Sequence, residues 1–230
     1  MNKIVTQAIV LSRVDYGEAD RILTLLTPDL GKIGGIAKGV RRVKSKLAGG
    51  IELFSVSEVT LAHRGQGLHM VVSARLIKHY GGVLGDYDRT MLGYEMIKRI
   101  HRITEDESGG EYFDLLRQAF AALDDATLNT EIIRLWFYAQ LLRIGGHTPN
   151  LQTDTSGEKL AADKTYDFGF EQMAFAPSAF EAGGFAVDHI KLLRLSFSNA
   201  TPKILSQVNV GQELVGMCAN LVVKMETWRS

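Results

Sequence analysis

A single cysteine, Cys218, stands among the 230 residues. That excludes an intramolecular disulfide and any multi-cysteine metal cluster. No apolar run approaches the roughly 20 residues that a membrane span needs. The first seven residues, Met1 to Gln7, are interrupted by polar side chains and hold no signal-peptide core. These absences make a soluble, reducing, cytosolic setting the expectation, with no membrane partner. Net charge is also absent: 26 Lys and Arg stand against 26 Asp and Glu. With 46% hydrophobic and 23% charged residues the composition is that of a folded globular chain, which excludes extensive disorder and low-complexity architecture. The length fits one or two domains, and no internal repeat is present.

The zero balance hides an asymmetry. Residues 1–80 hold 12 cationic residues against 6 acidic ones, and residues 81–230 hold 14 against 20. Such a split suggests two modules, with any polyanion site in the first. The cations are concentrated: no acid lies between Asp29 and Glu52, yet Lys32, Lys38, Arg41, Arg42, Lys44 and Lys46 all do.

Residues 1–80 read as short strands at Ile4–Ser12, Arg21–Thr27, Lys32–Ala37, Leu53–Leu61 and about Leu68–Leu76. Asp15-Tyr16-Gly17, Pro28-Asp29 and Arg64-Gly65-Gln66-Gly67 supply turns. Gly34-Gly35 suggests a bulge or bend within the third strand. The slip from Phe54/Val56 to Val59/Leu61 suggests another in the fourth. Leu68, Met70, Val72, Ala74 and Leu76 alternate, which predicts one buried face. Five strands in this length fit a small closed barrel of the OB type, and an SH3-like barrel is the alternative that strand counting leaves open.

From about residue 87 the period becomes helical. Leu92, Met96, Ile100 and Ile103 form one stripe, and Tyr112, Leu115, Leu116, Ala119, Phe120 and Leu123 another. Ile132–Ile144 is apolar nearly all round and predicts a central buried helix closed by Gly145-Gly146. Val210, Leu214, Met217, Cys218, Leu221, Val222 and Met225 mark a terminal helix. Residues 147–184 are irregular, with short strands expected near Tyr166–Phe168 and Met173–Phe175. The fold class expected is α+β with two domains: a barrel over 1–80 and an all-helical domain over 81–230 with a loop insertion at about 147–184.

Catalytic patterns fail when tested. There is no G-x-x-x-x-G-K-[ST]. Gly65-Gln66-Gly67 lacks a third glycine and a following helix. Ser156-Gly157-Glu158-Lys159 matches S-x-x-K but falls in a polar loop rather than at a buried helix start. His63 and His69 flank a hairpin and read as a surface pair. No H-E-x-x-H spacing exists, Asp124-Asp125 stands at a helix end, and Cys218 lies on an apolar helix face as an inert thiol. No catalytic residues, metal ligands or cofactor are therefore expected.

The one constellation with chemistry is Lys38-Gly39-Val40-Arg41-Arg42-Val43-Lys44-Ser45-Lys46. Its cations, hydroxyl and accessible backbone suit phosphates, with affinity supplied by counterion release. Beside an OB barrel, whose face and loops often hold oligonucleotides, this predicts DNA binding through Lys32, Lys38, Arg41, Arg42, Lys44 and Lys46. In residues 1–80 the only aromatics for base stacking are Tyr16, Phe54 and Tyr80, so binding should be mostly electrostatic.

The succession Asp15-Tyr16-Gly17-Glu18-Ala19-Asp20-Arg21-Ile22-Leu23, Leu26-Thr27-Pro28, Gly31-Lys32, Ala37 through Leu47, and Ile51-Glu52-Leu53-Phe54 resembles the N-terminal domain of the RecO family of bacterial DNA repair and recombination mediators. The likeness continues to Leu141-Leu142-Arg143-Ile144-Gly145-Gly146-His147-Thr148-Pro149. It implies an N-terminal OB-fold, a helical C-terminal domain, binding to single- and double-stranded DNA and annealing of complementary strands. It also implies RecR as partner, the C-terminal tail of single-stranded-DNA-binding protein as a second, and indirect service to RecA in the RecFOR route. Many RecO-like proteins carry a four-cysteine zinc module where residues 147–184 lie. No cysteine stands there in this sequence, so a metal-free loop is expected. A tail ending in a carboxylate needs a cation beside an apolar groove, and Arg117, Arg134 and Arg143 are the candidates. The alternative function is an adaptor whose basic barrel docks an acidic protein, and a cryptic hydrolase is a distant third.

Overall fold

The computed structural model describes residues 3–62, 67–104, 110–179 and 184–229. The expected Arg64–Gly67 turn and His63 thus fall largely outside the described residues. No helix among those described is long and apolar enough to cross a membrane. The chain forms two compact units, residues 1–126 and 127–230. Helical structure begins where the periodicity places it, but the first two long helices fall in the first unit with the strands.

In the first unit β1 (Lys3–Tyr16), β2 (Asp20–Thr27), β3 (Gly31–Ala37), β4 (Ser55–Ala62) and β5 (His69–His79) close a barrel in the order β1-β2-β3-β5-β4. All neighbours are antiparallel except β3 and β5, which pair in parallel at Gly35–His69 and Ile36–Met70. Inward-facing Ala8, Val10, Leu23, Leu25, Ala37, Val59, Leu61 and Val71 fill the core, as a period of two requires. β1 runs beyond the expected Ser12 to Tyr16, so Asp15 and Tyr16 of the expected turn lie in the strand and Gly17, at φ 57°, opens the turn.

Two expectations about bulges need correction. Gly34-Gly35 causes no shift, because β2 and β3 stay in register from Arg21–Ala37 to Thr27–Gly31. The glycines serve a close approach instead: a Cβ on Gly34 would lie 2.5 Å from Leu68 Cδ2. The irregularities between β4 and β5 occur at Val56/Ser57 and Thr60/Leu61, and in both the extra residue, Ile77 or Val72, is on β5. Two bulges defeat the alternation expected along this strand. Val71 is buried, whereas Leu68, Val72 and Leu76 are exposed.

α1 (Tyr87–Ile103) and α2 (Gly110–Asp124) pack against the barrel and each other. Phe54 explains the phase slip before β4. It lies outside the strand, in left-handed backbone at φ 53°, and its ring meets Tyr94 and Phe120 edge-on at 5.0 and 5.5 Å. The buried Arg89 guanidinium donates to Leu123 O and Asp125 O at 2.9 Å and to Ala126 O at 3.2 Å. It satisfies carbonyls left open at the end of α2.

The second unit centres on α3 (Thr130–Ile144), whose residues 135–142 are all buried. α4 (Val187–Ser196), α5 (Pro202–Leu205) and α6 (Gln212–Arg229) surround it. Trp136 Nε1 donates to Ala200 O at 2.9 Å, and Gln140 Nε2 donates to Ser196 O at 2.6 Å. The irregular segment holds a three-stranded sheet, β6 (Asn150–Asp154), β7 (Tyr166–Gly169) and β8 (Ala174–Pro177), in the order β6-β8-β7. Phe175 is its centre, with ring centroids of Phe168, Phe185 and Tyr166 at 5.2, 5.5 and 6.3 Å. Asp154 Oδ1 accepts from Ser156 N and Oγ and from Glu158 N, and these bonds, the Ser156 hydroxyl first, hold its carboxyl below the usual range. Among the described residues no group of three or more His, Cys, Asp or Glu is placed to hold a metal.

Candidate nucleic-acid interface

The segment after β3 turns back over one end of the barrel. Val40 and Ile51 are buried in the barrel core and Leu47 packs against it, so the basic loop between them is pinned at both sides. Gly39 adopts φ 62°, a left-handed turn that a side chain would resist. Backbone bonds Arg42 N to Gly39 O (3.2 Å) and Ser45 N to Arg42 O (2.9 Å) give the loop a definite path. The β1–β2 turn holds it from the side: Gly39 N donates to Asp20 Oδ1 at 2.7 Å and Arg41 N to Ala19 O at 2.9 Å.

Lys38, Arg41, Arg42, Lys44 and Lys46 are all exposed on this loop. Arg41 Nε lies 3.4 Å from Asp15 Oδ2, and Arg21 Nε donates to Asp15 Oδ1 at 2.9 Å. The Arg21 hydrogen bond, with the Arg41 charge behind it, holds the Asp15 carboxyl below its usual range. The side chains of Lys38, Arg42, Lys44 and Lys46 make no hydrogen bond or ion pair among the described residues. Lys32 stands apart. Its Nζ donates to His101 O at 3.2 Å and to Thr104 O, so it serves the C-terminal end of α1 rather than the loop surface.

Charge reading alone missed the apolar members of this end. Val43 is fully exposed between Arg42 and Lys44, and Val14 and Tyr16 project from β1. The signal was present for Val43, a β-branched residue alone among cations, but nothing in the sequence says which way it points.

The three arginines expected for a partner do not converge. Arg134 and Arg143 are nine residues apart on α3. That spacing is about 13 Å and about half a turn, which puts them on opposite faces. Arg134 lies 3.9 Å from Glu131, and Arg143 Nε donates to Gln140 Oε1 at 2.9 Å. Arg117 belongs to the first unit, where it donates to Asp114 at 2.8 Å and lines an open cleft of about 730 Å³ with Ile77, Lys78, Tyr80 and Phe113. Lys78 Nζ lies 5.7 Å from the Tyr80 ring centroid. Burial pushes the Tyr80 phenol up, against the opposing Arg117 charge.

Among the described residues the groups weighed for catalysis are not assembled. Ser156 donates to Asp154 within an exposed turn. Cys218 is buried, and burial pushes its thiol up to about 12.

The family model described as Recombination protein O N terminal matches residues 1–80, the segment that forms the barrel. A protein of Dehalococcoides mccartyi named DNA repair protein RecO is 32% identical over 226 residues, covering 91% of this chain and 84% of that one. Proteins of the same name from Rubrobacter xylanophilus and Rhodopirellula baltica are 32% and 35% identical over 78% and 64% of this chain, and over 68% and 55% of their own lengths. The barrel domain is thus an OB-fold of a recognised type, and the likeness runs on through the helices. The chain belongs to the RecO family of DNA repair proteins.

Proposed function

We propose that this chain is a non-enzymatic recombination mediator. It binds single- and double-stranded DNA through the basic end of its OB barrel, anneals complementary strands and, with RecR, helps load RecA. The observation that carries this reading is the pinned loop on which Lys38, Arg42, Lys44 and Lys46 extend without a partner among the described residues. Four fixed cations beside a barrel end suit a polyanion whose phosphates release counterions. Such a protein works in the cytoplasm with the nucleoid. The small sheet at residues 150–177 keeps its shape through Phe175 and its aromatic neighbours and needs no zinc.

The decisive experiment is annealing of complementary oligonucleotides with and without the purified chain, together with anisotropy titrations. Alanine at Arg41, Arg42, Lys44 and Lys46 should weaken binding of all sequences alike. With four phosphates neutralised on single strands, the log–log salt slope of the parent should be about −3, at about −0.7 per contact. Unchanged affinity in the quadruple variant removes the assignment. Saturable 1:1 binding of an acidic protein with a shallow salt slope would favour the adaptor reading instead.

The carboxylate-ended tail of single-stranded-DNA-binding protein is the second partner we propose. What supports Arg117 among the three candidate arginines is that it lines a cleft with apolar Ile77 and Phe113 and a further cation, Lys78, although Asp29, Glu58 and Asp114 line it too. Arg117→Glu should abolish tail-peptide binding while leaving naked-DNA binding intact. Retained affinity would move the site to Arg134 or Arg143.

A further inference from the structure

The outer face of the barrel carries a feature that electrostatics does not use. Val14 on β1 opposes Ile22 on β2, Ile22 opposes Ile36 on β3, and Ile36 opposes Met70 on β5. Register partners share a face, so these four apolar side chains make one row across four strands. The row lies outside: Ile22 and Ile36 are next to the inward Leu23 and Ala37, and a bulge in β1 between Val10 and Ser12 turns Val14 away from the face on which Val10 meets the core. Tyr16 lies two residues beyond Val14 and therefore on the same face. Val14 is 60% exposed and Tyr16 55%, while Ile22, Ile36 and Met70 are half-buried. Asp15, with its ion pairs to Arg21 and Arg41, points to the other face of the hairpin. The Tyr16 side chain makes no ring contact or hydrogen bond among the described residues. The turn that follows it is the one tied to Gly39 and Arg41, so the aromatic edge and the basic loop are held together.

We propose that single-stranded DNA crosses this outer face with an unpaired base stacked on Tyr16 and its neighbours laid on the Val14–Ile22–Ile36 row, while the basic loop holds phosphates. This rests on the reading of the barrel as the DNA-binding unit and adds the residue that separates single strands from duplex. Duplex bases have their faces stacked inside, so a duplex offers the protein phosphates and groove edges but no free π-face. Unpaired bases expose a π-face, which an exposed tyrosine beside cations can cover. Tyr16 is thus a specificity residue, and the loop cations are indifferent to strandedness.

The test uses labelled poly-dT and a duplex of equal length with the full chain. Tyr16→Ala should lower poly-dT affinity by about tenfold, the loss expected for one stacked base. It should leave duplex affinity and melting temperature unchanged, and Tyr16→Phe should restore poly-dT binding. In Tyr16→Trp, poly-dT should quench indole emission and duplex should not. Equal losses on both probes, or no loss together with unquenched Tyr16→Trp emission, overturn the proposal and leave the DNA-binding reading standing. Failure of the unaltered chain to bind either probe overturns both. Displacement of poly-dT by polyglutamate at equal charge concentration would give the face to an acidic peptide and overturn the proposal as well.

Discussion

The Asp20 carboxylate accepts the backbone N–H of Gly39 at 2.7 Å, joining the first residue of β2 to the basic loop that follows β3. Together with the Arg41 N–H bond to Ala19 O, it holds the turn and the loop as one body. Cations that are held in place lose less freedom on binding a phosphate chain than cations on a loose loop.

Asp20→Ala should therefore cost about 1.5–3 kcal/mol of stability, the worth of a hydrogen bond to a charged group. It should also lower DNA affinity a few-fold although it removes a negative charge. Urea unfolding and anisotropy measure the two effects. A gain in affinity would show that Asp20 acts only as a repelling charge.

Arg89 is buried and spans three carbonyls at the end of α2 and just beyond it. Arg89→Ala leaves them unsatisfied, at about 1–3 kcal/mol for each partner lost in a buried place. Thermal unfolding should fall by several degrees, and Arg89→Lys should recover little, because one ammonium cannot reproduce the guanidinium fork. Full recovery by lysine would mean that charge alone matters.

Phe175 is fully buried at the centre of the small sheet. Phe175→Ala should cost about 3–5 kcal/mol. A chelator should leave the melting temperature of the parent unchanged, since a structural zinc contributes folding energy directly. One zinc per chain by elemental analysis would reverse this account of residues 150–177.

Two histidines give stability a pH dependence. Burial lowers the pKa of His101, with the Lys32 charge adding to it, and burial lowers that of His189, whose Nδ1 accepts the Ala186 N–H at 3.2 Å. A lowered histidine takes up its proton in the unfolded chain before the folded one. Their contribution is complete above the ordinary value of about 6.5 and declines as pH falls below it. Denaturation midpoints should fall between neutral and mildly acid pH, and His189→Gln should flatten the profile. A midpoint constant across that window would contradict the direction of both shifts.

How much of this was legible without coordinates follows from what each signal measures. Period-two and period-3.6 patterns report which residues of one segment share a face. That sufficed for β2, β3, α1, α2, α3 and α6, and the missing acids between Asp29 and Glu52 sufficed for the basic loop. A bulge is a property of two paired strands, so Val72 and Ile77 were invisible until β5 was laid against β4. Gly34-Gly35 looked like a bend because composition cannot distinguish a bent backbone from one that another chain segment approaches closely. Lys32 shares the charge of Lys38 and Arg42, but only tertiary packing brings the end of α1 within reach of its ammonium. Tyr16 is one of three aromatics that the sequence offers for base stacking, and strand register is what sets it beside Val14, away from the Asp15 ion pairs. The sequence by itself determined the segments and their charge. Tertiary structure decided which side chains remain free to meet a partner, because freedom depends on contacts made far along the chain.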